Sequence, residues 1–189
     1  MKKHIRSIAG SLVLSLSALA VAGGIALSPA PALAQDDNNN RPRRSQTLDP
    51  AVAKVLQTVF EQMQAEQYRE ALTALNNLIA NRGERMKPYD KSTTYELRGS
   101  VKASLEDYRG AQRDFQTALD TNGLTPERNN QLRYFIAQIS FQLEDFNGAI
   151  RGLNEWIRNA RAAGETIDPN AYYLLAAAYA SKEPPDYRA

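Results

Sequence analysis

The chain contains no cysteine, and its single histidine, His4, stands almost at its start. These two absences remove whole classes of chemistry from everything beyond position 34. Cys-His and Ser-His-Asp nucleophilic catalysis, thiol exchange, disulfide cross-links and His/Cys zinc sites are all excluded there. There is no Gly-rich phosphate loop and no run with metal-ligand spacing, so neither a metal nor a cofactor is expected. No stretch alternates convincingly at period two, which speaks against strands. Charge of one sign is lacking too: 23 Lys and Arg face 21 Asp and Glu. Lys2, Lys3 and Arg6 are the only charged side chains before Gln35, apart from His4 when protonated. Beyond them 20 basic and 21 acidic residues remain, a net charge of −1. A near-neutral body has no field for steering nucleic acid, so no nucleic-acid partner is expected.

What is present begins with the pattern of a secretory signal. The basic "KKHIR" at 2–6 precedes an apolar stretch over 8–28, and "PAPALA" leads into "QDD". Basic, apolar and A-x-A-like segments in that order predict a signal peptide over 1–34, cleaved after Ala32-Leu33-Ala34 and leaving no membrane span. The alternative is an uncleaved anchor, because the apolar run approaches the roughly 20 residues that cross a bilayer. No cysteine follows the run, so a lipoprotein anchor is excluded. Residues 35–48 have the composition of a disordered tether. The "RPRR" within it is read as a solvated charge cluster rather than a lipid or cell-wall contact.

From residue 49 to 189 the sequence reads as helical throughout. Asp49-Pro50, Thr125-Pro126 and Asp168-Pro169 each pair an N-cap side chain with a proline at the first helical position. A further start is expected near Asp90 or Ser92. Gly83, Gly123 and Gly164 are expected to close helices in the left-handed conformation. Three hexamers then recur: "EQYREA" at 66–71, "EDYRGA" at 106–111 and "EDFNGA" at 144–149. They align Tyr68, Tyr108 and Phe146, and likewise Ala71, Ala111 and Ala149. Behind each alanine, Ala71/Leu75/Leu78, Ala111/Phe115/Ala118 and Ala149/Leu153/Trp156 step by four and then three, one face of a helix. Each hexamer therefore reads as a turn between two antiparallel helices plus the first turn of the second. The aromatic wedges between helices, and the alanine is small because a paired helix crosses there. Such a unit repeated at a near-constant period predicts an all-α, right-handed solenoid of antiparallel helix pairs, about three and a half repeats long. The units are 50–82, 91–121, 125–163 and a partial 169–189.

These residues resemble the tetratricopeptide repeat family. Tyr108, Ala111, Phe115 and Ala118 match its second-helix pattern, and Gly99 matches the small residue of its first helix. Tyr172, Leu175, Ala176 and Tyr179 match the first-helix pattern in degenerate form. Long loops, Val59 at the small-residue position of the first unit and Trp156 where alanine is usual all depart from it. The order of signal, tether, long-looped repeats, "DFNGAIRGLNEWI" and "NAYYLLAAAYA" is similar to periplasmic members encoded beside TonB–ExbB–ExbD systems. That resemblance implies a periplasmic scaffold that continues into further repeats. The apolar last helix, with only "EPPDYRA" behind it, is read as part of a longer array rather than as a terminal cap, whose outer face would be polar.

The acidic pairs Glu106-Asp107 and Glu144-Asp145 sit in the recurrent turns and are read as turn residues rather than acid–base groups, so no enzyme is expected. In the family the first helices line a concave groove. That mapping implies partner-binding positions at Glu96 and Ser100, at Gln131, Tyr134, Gln138, Phe141 and Gln142, and at Asn170 and Tyr173. Tyrosines beside amides suit a peptide, the rings giving contact area and the amides bonding its backbone. The competing reading of Phe141 and Tyr173 is packing between helices, and that of Trp156 is core between repeats. The expected function is an exported adaptor for a protein or peptide partner in the cell envelope. The alternatives are a cell-wall or division-associated adaptor and, remotely, a carboxylate-based enzyme.

Overall fold

A computed structural model describes residues 46–182; the expected signal peptide, nearly all of the expected tether and the final "EPPDYRA" lie outside the described residues. Seven helices follow one another: α1 (Pro50–Gln64), α2 (Tyr68–Arg82), α3 (Pro88–Ser104), α4 (Tyr108–Thr121), α5 (Pro126–Gln142), α6 (Phe146–Ala162) and α7 (Pro169–Lys182). No strand occurs among the described residues. The tightest packing is within α1/α2, α3/α4 and α5/α6, and each second helix also meets the following first helix. This is a TPR-like helical repeat of three pairs and one further first helix.

The hexamers form the turns within the pairs. Glu66, Glu106 and Glu144 adopt φ of 58°, 62° and 61°. In each turn the next residue's amide reaches five residues back: Gln67 to Gln62, Asp107 to Lys102 and Asp145 to Ser140, at 2.8–2.9 Å. The glutamate's own amide reaches back three, so two orphan carbonyls of the ending helix are satisfied at once. Asp107 and Asp145 then accept the amides of Gly110 (2.9 Å) and Gly148 (2.8 Å), capping α4 and α6. Gln67 makes no such bond in the first unit. The aromatics Tyr68, Tyr108 and Phe146 open the second helices half-buried, and Ala71, Ala111 and Ala149 are fully buried.

The buried stripes follow the spacing in α2 and α4. In α6 the stripe is Ala149, Leu153, Ile157 and Ala160, so Trp156 stands one position off it. Each stripe is shared forward. Leu97 and Val101 of α3 join Val52, Leu56, Val59, Ala71, Leu75 and Leu78 in one cluster, and Leu174 of α7 joins Ala137 and Leu153. Burying each valine or leucine of these clusters contributes roughly 1.5–3 kcal/mol, and the sharing makes neighbouring pairs cooperative.

Asp49, Thr125 and Asp168 accept amides at the starts of their helices as expected. The start of α3 differs. It lies at Pro88, after Lys87, with no side-chain cap. Asp90 and Ser92 lie inside the helix and are buried, because other elements use their oxygens. Asp90 accepts the amide of Asp49 at 2.9 Å, tying the start of α1 to α3. Ser92 donates to the Ala118 carbonyl (2.9 Å) and accepts the Gly123 amide (3.1 Å). Two glycines also differ. Gly83 is right-handed and leads into a short 3-10 turn, Gly83–Arg85. Before Gly123 it is Asn122 that takes positive φ. Gly123 is needed for close approach: a Cβ there would lie 2.1 Å from the Pro88 carbonyl oxygen. Gly164 alone of the three is left-handed, at φ 73°.

Candidate partner-binding surface

The proposed groove residues lie on the first helices α3, α5 and α7, and the structure sorts them into three groups. Gln131, Gln142, Asn170 and Tyr173 are exposed, with Tyr173 open to 73% of its surface. Tyr134, Gln138 and Phe141 are half-buried. Glu96 and Ser100 are buried, at 5% and 4%.

The buried group braces the surface. Ser100 donates to the Glu96 carbonyl one turn back. Glu96 forms an ion pair with Arg128, linking α3 to α5, although its Oε1 lacks a well-aligned hydrogen bond. Burial raises the Glu96 carboxyl above its ordinary value, and the Arg128 charge pulls the other way without cancelling it. Arg128 also donates to Oε1 of Gln131 at 3.1 Å, so the buried acid positions an exposed amide through one guanidinium. Arg128 was absent from the sequence-based set; its place three residues before Gln131 on one helix was the available signal.

The half-buried group is a set of ring contacts. Tyr134 lies against Trp156, with ring centroids 4.6 Å apart. Burial raises the Tyr134 phenol, the Asp168 charge adds to the rise, and a hydrogen bond with Gln138 opposes it. Trp156 therefore packs within its own unit, behind a first-helix tyrosine. Phe141 meets the edge of Phe146 at 5.5 Å and joins the cluster around Leu153 and Leu174, so its ring packs between helices. What remains exposed is an amide–tyrosine set on two first helices, Gln131 and Gln142 on α5 and Asn170 and Tyr173 on α7. This set offers ring surface and solvent-exposed amides, that of Gln131 held on one side by Arg128.

The acidic turn pairs are structural. The aspartates cap helices and the glutamates hold the turn conformation. Among the described residues no three His, Cys, Asp or Glu side chains gather in a way that could hold a metal. A cleft of about 310 Å³ opens between α4, α5 and α6, lined by none of the exposed residues named above. Its polar groups largely satisfy one another, Arg133 with Glu155 at 3.0 Å and Gln116 with Asp120 at 2.8 Å. No described helix is long and apolar enough to cross a membrane.

No protein-family model matches the chain, and no curated protein matches it by sequence. Among solved structures it is similar to PcrH from Pseudomonas aeruginosa, at 21% identity over 71% of this chain and 92% of that one, with a TM-score of 0.49. A structure of PcrH with the chaperone binding region of PopB gives 21% identity, 70% and 95% coverage and a TM-score of 0.49. A T3SS complex from Aeromonas hydrophila gives 19% identity, 68% and 76% coverage and a TM-score of 0.48. At this identity the likeness is to a helical fold alone.

Proposed function

We propose that this chain is an exported, non-enzymatic scaffold of the periplasm that binds a segment of a partner protein along α5 and α7. The carrying observation is Tyr173, a large ring open to 73%, one turn from the exposed Asn170 on the same helix. A tyrosine kept out of the core on a helix that buries Ala171, Leu174 and Ala178 supports a contact role. Tyr134, fixed by Trp156, gives that contact a preorganised neighbour. The leader pattern supports export, and the resemblance to the repeat proteins beside TonB–ExbB–ExbD systems supports a partner in envelope energy transduction.

The test is site-specific photo-crosslinking from positions 142 and 173 in intact envelopes, with the mature N-terminus read by mass spectrometry. Cross-links to one envelope protein and an N-terminus at Gln35 are expected. Tyr173→Ala should reduce capture by about tenfold or more, the scale of an interface hot spot, with an unchanged melting curve. Capture that survives this substitution moves the site elsewhere. Cross-links to a protein outside the TonB–ExbB–ExbD apparatus end that assignment and leave the scaffold reading standing.

A further inference from the structure

We propose that the cleft between α4, α5 and α6 seats an arginine side chain of a partner protein, in the position that Arg98 holds in the preceding groove of the same repeat array. Repeat register carries the comparison. The cleft of about 310 Å³ is walled by Gln116 and Asp120 of α4, Ile136 of α5, and Gly152 and Glu155 of α6, all internal to the described array. Positions are counted from Ala71, Ala111 and Ala149 on the second helices, and from Gly99 and Ala137 on the first. One repeat earlier, Asn76, Arg98 and Asp114 then stand where the cleft has Gln116, Ile136 and Gly152. There the Arg98 guanidinium meets the two Asp114 oxygens at 2.7 and 2.8 Å and donates to Asn76 at 3.1 Å. It also lies over the Tyr95 ring, 4.9 Å from its centroid. In the cleft that anchor is lost from both sides, with isoleucine for the arginine and glycine for the aspartate. Close helix packing keeps the space open, since a Cβ on Gly152 would lie 2.9 Å from the Ala137 Cβ.

Charge selects the occupant. Where the earlier groove has Ala80 and Thr117, the cleft has the exposed acids Asp120 and Glu155. Asp120 Oδ1 accepts from Gln116 at 2.8 Å, and Glu155 Oε1 from Arg133 at 3.0 Å. A carboxylate accepts at two oxygens, so both acids keep capacity for a further donor. Two carboxylates against the single Arg133 give the lining an excess of negative charge. Arg113, Arg151 and Arg158 are exposed on the same two helices and weaken that field, but none of them lines the cleft. A guanidinium brings five donors in a planar fork, enough for both acids, and its methylene stem covers Leu119 and Ile136. An ammonium is a compact point charge that matches this less well, and an anion would meet the acids. This cleft shares no residue with the amide–tyrosine set on α5 and α7, so the two sites stand or fall separately.

The probe is N-acetyl-arginine amide, titrated into the isotope-labelled chain and followed by backbone amide NMR shifts. Capped lysine and capped citrulline, the neutral isostere, serve as controls. Shifts should centre on Gln116, Asp120, Gly152 and Glu155, with arginine bound about fivefold or more tightly than citrulline and more tightly than lysine. Asp120→Asn, an exposed change, should weaken arginine by about threefold or more. Ile136→Arg supplies the cation from within and should remove the response. An Ala-Arg-Ala peptide should bind at least as tightly as capped arginine, because a polypeptide presents the side chain. Lysine or citrulline equal to arginine, shifts confined to other residues, or a response indifferent to Asp120→Asn overturns the proposal. Weaker binding by the peptide than by capped arginine overturns the polypeptide source. A dimer in sedimentation velocity that Ile136→Arg abolishes does so too, because an arginine of a second copy would then fill the cleft.

Discussion

Asp114 is a buried charge held by two cations, and its removal should destabilise the α3/α4 pair by about 3 kcal/mol. Its Oδ1 accepts from Arg98 Nη2 at 2.7 Å, and its Oδ2 from Arg98 Nε and Lys102 Nζ, each at 2.8 Å. The carboxylate side chain is 5% exposed and the two cations 16% and 17%. Breaking a buried pair by removing one partner typically costs about 3–5 kcal/mol, because an uncompensated charge stays behind. Asp114→Ala strands two cations, but both retain some access to water, which places the expectation at the lower end. Lys102→Ala leaves the bidentate Arg98 contact and should cost about 1 kcal/mol. Arg98→Ala leaves Lys102 on the carboxylate but also breaks the 3.1 Å bond to Asn76, for about 2 kcal/mol. Arg98→Ala with Lys102→Ala should exceed the sum of the single effects by about 1 kcal/mol, because only then is Asp114 bare. Urea unfolding followed by far-UV circular dichroism reads these differences, and Asp114→Ala should lower the melting temperature by roughly 6–12 °C. A chain in which Asp114→Ala stays within about 1 kcal/mol of the parent refutes the reasoning.

Two further outcomes follow from single residues. Burial holds the folded pKa of Glu96 above the ordinary glutamate value, so the fold binds that proton more tightly than the unfolded chain does. Its contribution is full below the unfolded pKa and declines as pH climbs through the raised value. The urea midpoint of Glu96→Gln relative to the parent should therefore improve as pH rises from about 4 to about 7, and a flat or falling difference contradicts the burial account. Glu106 is a non-glycine residue at φ 62°, so Glu106→Gly should stabilise by up to about 1 kcal/mol, while Glu106→Val should destabilise. Paired thermal melts in which valine is the more stable of the two would reject the turn assignment.

The helix pairs were legible in the sequence because their determinants are local. An Asp-Pro or Thr-Pro start is capped within its own first turn, and Ala111, Phe115 and Ala118 share a face by helical period alone. The start of α3 was not legible. Asp90 and Ser92 have capping chemistry, but their oxygens serve α1 and the end of α4, 41 and 26 residues away in sequence. Gly123 looked like a helix stop, and only the approach of the Pro88 backbone gives its reason. The left-handed glutamates hid for the opposite cause: that conformation favours glycine, so three acidic residues gave no local signal of it.

The surface divides in the same way. The resemblance to the repeat family assigned Glu96, Tyr134 and Tyr173 to one equivalent position on three first helices, because a family pattern is laid along a single chain direction. Their fates are unlike: Glu96 is sealed against Arg128, Tyr134 rests on Trp156, and Tyr173 stands open. Those differences come from whichever side chains the neighbouring helices bring across, and sequence periodicity cannot specify a partner on another helix. Sequence by itself determined that helices would pair and which alanines they would cross on; tertiary packing decided which of the equivalent positions became brace, support and contact.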